Sequence, residues 1–177
     1  MRKLLLIVVN GYPQSGKDTF VNYCRKYLED KDFHTHNVSS VDPIKKAAKL
    51  IGWDGTKDDK GRNFLSELKD LSTKYYDFPF KHMLHEIETR RFPDEDHCFF
   101  FHIREPEEIK KFVEYIGFPV TTIFIERKDS IKHLTNTGDA NVKDYKYNYI
   151  IYNDKSLEGL NSTAYIIMNT IKKEIDK

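Results

Sequence analysis

Leu4-Leu5-Leu6-Ile7-Val8-Val9-Asn10-Gly11-Tyr12-Pro13-Gln14-Ser15-Gly16-Lys17-Asp18-Thr19 decides how the rest of this chain is read. The run Leu4–Val9 is apolar without alternation and has the length of one buried strand. It feeds directly into Gly-x-x-x-x-Gly-Lys, and Asp18 to Asp30 then carry a helical pattern. Strand, glycine loop and helix in that order form a phosphate cradle: backbone N–H groups turn inward, the helix presents its positive end, and the lysine reaches the β and γ phosphates. Gly11, Tyr12, Pro13, Gln14, Ser15, Gly16, Lys17, Asp18 and Thr19 are therefore expected to hold a nucleoside triphosphate. The bland alternative, a Gly/Pro-rich turn between strand and helix, leaves the placement of the lysine to coincidence. The position after the lysine, where a hydroxyl usually sits on Mg2+, is Asp18. Three arrangements follow: Asp18 orients a metal-bound water, Thr19 takes the place of the hydroxyl, or the ion is held mainly by nucleotide and water.

Working outward, apolar runs recur at Leu4–Val9, Phe99–Ile103, Val120–Ile125 and Tyr149–Tyr152, with a weaker strand at Phe33–Ser39. Segments of helical period separate them, so the class is α/β with a parallel sheet covered on both faces. Asp42-Pro43 reads as an N-cap and first helical residue, with Ile44, Ala47, Ala48 and Ile51 on one face of the helix it opens. After a polar loop from Trp53 to Arg62, two helices follow, one on Phe64, Leu65, Leu68, Leu71 and Tyr75, the other on Phe80, Met83, Leu84 and Ile87. Pro106 opens another helix that Gly117 closes, and Leu157, Leu160, Ala164, Ile167 and Ile171 mark the last. Lys128 to Asp144 has little periodicity and is expected to be a working loop, most often a lid.

The chain has 177 residues and a formal net charge of +1, which suits one domain and lacks the basic field that grips a polynucleotide. No apolar stretch approaches the roughly 20 residues of a membrane span. Cys24 and Cys98 form no CxxC pair and no secretory leader is seen, so both read as reduced structural thiols and the expected location is cytoplasmic.

Chemistry in open α/β sheets gathers at the carboxyl ends of strands, which singles out Arg104 and Arg127 among seven arginines. Both suit the charge that phosphoryl transfer builds on equatorial oxygens, against the alternative of solvated or helix-end charges. Arg62, before the Phe64 helix, is a candidate clamp for an acceptor phosphate. His102 and Ile103 stand where a metal-anchoring Asp would end the third strand, which weakens an ATPase or GTPase reading. His82, His85 and Glu86 have the wrong spacing and order for a zinc motif, and His34 and His36 read as one solvated strand face. Asn153-Asp154-Lys155-Ser156 reads as a loop capping the last helix through Asp154 or Ser156.

Together these residues resemble the P-loop nucleoside monophosphate kinases, most closely the deoxynucleoside monophosphate kinases of tailed bacteriophages. The features that carry the resemblance are Gly16-Lys17-Asp18-Thr19, Asp42-Pro43-Ile44-Lys45, Arg62 to Leu71, Phe99 to Glu108, and the ending from His133 through Asn153-Asp154-x-Ser156-Leu157-Glu158. The family can end its third strand Asp-x-Arg, where this chain has His102. The resemblance implies a single three-layer α/β/α domain over 1–177 with a five-stranded parallel sheet, a monophosphate-binding helical region at about 40–92 and a lid at about 128–144. It implies ATP and Mg2+, with Asp18 and Thr19 near the metal directly or through water. Lys17, Arg104, Arg127 and Arg62 would serve catalysis, Asp42, Lys45 and Arg62 the acceptor, and Asn153 and Asp154 would flank adenine. Its partners would be ATP and a (deoxy)nucleoside monophosphate, with no polynucleotide or membrane, acting as monomer or homodimer. Other small P-loop kinases, a nucleotide-dependent switch and a non-transferring ATP-binding protein are the rival readings.

Overall fold

The structure is a computed structural model and describes residues 2–56, 58–128, 141–154 and 156–175. The chain divides into two compact units, Met1–Asn37 with Phe92–Lys177, and Val38–Arg91. Five strands, β1 (Leu4–Gly11), β2 (Phe33–Ser39), β3 (Asp96–His102), β4 (Val120–Glu126) and β5 (Tyr149–Tyr152), form one sheet in the order β2-β3-β1-β4-β5. The central strand β1 pairs in parallel with β3 from Leu4↔His97 to Val8↔Phe101 and with β4 from Leu6↔Val120 to Gly11↔Ile125. β1 is therefore buried on both faces, as its unbroken apolar run requires.

Alternate residues of the strands serve opposite layers. Leu5, Ile7, Val9, Cys98, Phe100, Ile123 and Ile125 form one core with α1 (Lys17–Glu29) and the last helix, α6 (Leu157–Ile175), which contribute Phe20, Cys24, Leu28, Leu160, Ala164 and Met168. On the other face Phe101 packs its ring 4.7 Å from Phe112 of α5 (Pro106–Tyr115). Tyr12, Phe124, Val142 and Tyr147 form a smaller apolar cluster. The fold is α/β, with helices on both sides of a five-stranded parallel sheet.

The second unit contains α2 (Asp42–Leu50), α3 (Asp59–Tyr76) and α4 (Phe78–Arg90). Two local readings are corrected there. Asp42 is the first helical residue, and Val41 is the cap position; the acidic side chain instead lies in the first turn, where the helix dipole favours it. Arg62 does not precede α3 but lies in its first turn, because Asp58 accepts the Gly61 N–H at 2.7 Å and starts the helix earlier. Asp77, at φ 53°, ends α3 and starts α4, so one residue joins the two helices. The expected lid falls largely on residues 129–140, outside the described residues.

Cys24 and Cys98 are both fully buried and unbridged, and burial pushes both thiols well above the usual range. Neither should react with a thiol reagent in the native protein, and both should react in denaturant. Because the folded state holds these protons to higher pH than the unfolded state, their contribution is complete below an unfolded thiol value of about 8.5 and declines above it. Thermal melts from pH 7 to 10 should show stability falling at the alkaline end.

Candidate phosphate-binding site

The loop between β1 and α1 turns tightly on itself. Ser15 N–H donates to the Tyr12 carbonyl at 3.2 Å, and Phe20 N–H donates to Gly16 O at 2.9 Å. Two glycines are steric requirements here. A Cβ on Gly11 would lie 2.3 Å from the Ile125 carbonyl oxygen, and one on Gly16, at φ 92°, would lie 2.3 Å from Asn153 Nδ2. That same amide donates to Ser15 O at 2.9 Å, while Asn153 N–H donates to Glu126 O at 2.7 Å. The loop is thus held from outside by the carboxyl ends of β4 and β5.

Inside the loop, Lys17 Nζ donates to Gly11 O at 3.0 Å and Tyr12 O at 3.3 Å, so the ammonium lies across the first two carbonyls. Gly16 gives α1 no side-chain cap, which leaves its first N–H groups for another acceptor. Ser15 is fully buried, and its hydroxyl has no hydrogen-bond partner. A glycine cradle, an uncapped helix start, a lysine and an orphaned buried hydroxyl fit a polyphosphate. Asp18 is exposed and Thr19 half-buried in the first turn of α1; hard oxygens of this kind suit Mg2+ shared with a phosphate.

Arg104 follows β3, is half-buried, and accepts the Asn10 amide on its backbone carbonyl at 2.9 Å. Arg127 follows β4 and is exposed; beside it Lys128 N–H donates to Asp154 Oδ1 at 3.0 Å. The structure therefore brings Asn153 onto the loop itself and binds the Arg104 and Arg127 segments to neighbouring strand ends. Asp42, Lys45 and Arg62 belong to the unit Val38–Arg91. There Lys45 Nζ lies 2.9 Å from Asp42 Oδ1, and Arg62 is exposed.

Two groups near the loop escaped the sequence reading. Lys143 pairs with Glu126 and lies over the rings of Tyr12 and Phe124, 5.7 and 5.9 Å from their centroids. The bond to Glu126 pushes its pKa up, so the ammonium stays charged. The second group is Asn10, buried beside the loop. No short-range spacing connects Lys143 to Glu126 and the two rings, or Asn10 to Arg104 and Tyr147. Ser156, in contrast, caps α6 as read, accepting Gly159 N–H at 3.2 Å.

The histidine reading needs one correction. His36 does not face solvent alone: its Nε2 is 3.1 Å from Nδ1 of buried His97, and its ring stacks on Phe99. His97 Nε2 accepts Phe92 N–H, so a neutral His97 carries its proton on Nδ1 and donates to His36. His102 Nε2 donates to Asn37 Oδ1 at 2.6 Å. Among the described residues, no group of three His, Cys, Asp or Glu side chains is placed to hold a metal ion, and no helix is long and apolar enough to cross a membrane.

Gly11→Ala should be the more damaging of the two loop substitutions, because the atom it meets is backbone and cannot turn aside. Gly16→Ala meets a side chain, and Asn153→Ala in the same protein should recover part of its loss; the strained φ should keep recovery incomplete, costing about 1–2 kcal/mol. Denaturant melts of the three variants and the double variant measure this.

No model of a known protein family matches the chain, and no curated protein does. Solved structures similar to it in fold include a gluconokinase from Sinorhizobium meliloti, with a TM-score of 0.53 and 10% identity over 99% of this chain and 97% of that one. A sugar kinase from a Janibacter species has a TM-score of 0.53 and 10% identity over 96% and 95%. The Mycobacterium tuberculosis APS kinase in complex with AMPPNP and APS has a TM-score of 0.52 and 12% identity over 97% and 99%. The chain has the fold of P-loop kinases.

Proposed function

We infer that this protein transfers the γ-phosphoryl group of ATP to a (deoxy)nucleoside monophosphate, giving the diphosphate. The observation that carries the reading is the loop 11–19 itself, with Lys17 lying across the first two loop carbonyls and a buried Ser15 hydroxyl left without a partner. A phosphate entering the loop supplies acceptors to Lys17, to the first N–H groups of α1 and to that hydroxyl. Lys17 then exchanges carbonyl partners for phosphate oxygens.

Phosphoryl transfer needs positioning and charge neutralisation rather than a protein nucleophile. On this reading Lys17 stabilises the transferring group, and Arg104 and Arg127 neutralise equatorial oxygens. Asp42, Lys45 and Arg62 bind the acceptor, and Asn153 and Asp154 lie toward the adenine. Asp18 or Thr19 would hold Mg2+ directly or through water, and the ion would supply charge neutralisation to the donor phosphates. The protein then works in the cytoplasm in deoxynucleotide metabolism, in the manner of the bacteriophage-type kinases, as monomer or homodimer.

A second reading keeps the donor chemistry and changes the acceptor, since two of the fold neighbours are described as kinases of APS and gluconate. A coupled assay of ADP release with ATP and Mg2+, run across ribo- and deoxyribonucleoside monophosphates, APS and gluconate, separates the two. The expected result is release that requires one monophosphate. Release without any acceptor, or with APS or gluconate alone, counts against the proposal. Lys17→Ala should lower kcat by about 100-fold or more with an unchanged circular dichroism spectrum.

A further inference from the structure

Asn10 is 1% exposed, and its amide makes three bonds. Oδ1 accepts Gly11 N–H at 2.8 Å, and Nδ2 donates to Arg104 O at 2.9 Å and to Tyr147 Oη at 2.8 Å. The Tyr147 hydroxyl in turn donates to Val142 O at 2.7 Å. Every direction in this set is dictated by chemistry. An amide N–H can only donate and a carbonyl can only accept, so the side-chain amide has one orientation. The Tyr147 oxygen must accept from Asn10 because its hydrogen is committed to Val142. Burial raises the Tyr147 hydroxyl well above its usual range and keeps that hydrogen in place at neutral pH.

The place of Asn10 in the sheet explains why such a tie is needed. Pairing of β1 with β4 continues to Gly11↔Ile125, but pairing with β3 ends at Val8↔Phe101, and β3 itself ends at His102. The backbone at Arg104 is therefore past the ladder. The Asn10 amide reaches across to it, and the same side chain grips the first N–H of the phosphate loop.

We propose that Asn10, with Tyr147 behind it, is a positioning residue that sets where Arg104 stands relative to the phosphate loop. The role rests on the phosphotransfer reading above and adds a residue to it. Asn10 touches no reacting atom; it acts through the backbone from which the Arg104 guanidinium projects. An aspartate at this place keeps the size and the acceptor for Gly11 but loses both donors and sets a carboxylate against the Arg104 carbonyl.

The test compares Asn10→Asp and Tyr147→Phe in the full chain, each alone and combined with Arg104→Ala, using the acceptor that the ADP-release panel identifies. Asn10→Asp should lower kcat by about 10- to 100-fold with KM for ATP within about threefold, and Tyr147→Phe should do the same more mildly. In the Arg104→Ala protein neither change should cost further rate, since the group they position is gone. Losses that multiply in that background, or that appear equally in KM and kcat, overturn the proposal. Should Asn10→Asp fail to fold, Tyr147→Phe decides by the same criteria. A wild-type protein that transfers phosphate to nothing in the panel overturns the underlying reading first, before any variant is compared.

Discussion

The Ile125 carbonyl oxygen occupies the space that any side chain on Gly11 would need. This contact lets β1 stay paired with β4 up to the first residue of the loop, so the loop leaves a strand that is still held. The other contacts of the site build on that rigidity. Asn153 closes on Gly16 and Ser15 from the end of β5, and Lys17 folds back onto Gly11 and Tyr12. A loop already held in this way spends little ordering entropy when a ligand arrives.

Charge around the loop is arranged to stay local. Lys143 is paired with Glu126 and rests on the rings of Tyr12 and Phe124, so a cation lies against the second loop residue without being unpaired. Lys17 is satisfied by carbonyls, which are weaker partners for an ammonium than phosphate oxygens. The protein thus has ready donors near the loop and few buried charges to stabilise there. Ser15 is the exception among neutral groups, a buried hydroxyl without a partner beside Gly11, and such a group costs about 1–3 kcal/mol until something accepts from it.

Where reading residues in order succeeded, the signal was local. The unbroken apolar run of β1, the Pro106 start of α5 and the Ser156 cap of α6 each depend on residues within a few positions of one another. It failed where a neighbour competed for the same role. Asp58 began α3 before Arg62, and Val41 stood at the cap position that Asp42 was expected to fill. His36 looked solvated because its partner, His97, is 61 residues away.

The order of strand, glycine loop, lysine and helix was determined by the sequence alone, and with it the fold class and the place of the loop 11–19 that is proposed to cradle phosphate. Backbone stereochemistry and apolar periodicity act over a few residues, which is why they can be read in a line. Tertiary structure decided what holds the cradle: Ile125 behind Gly11, Asn153 against Gly16, Asn10 between the loop and Arg104, and Lys143 over Tyr12. These pairs lie from 94 to 138 positions apart or meet only where parallel strands end together. Only the register of the assembled sheet sets such distances, because no local preference of the chain carries information across them.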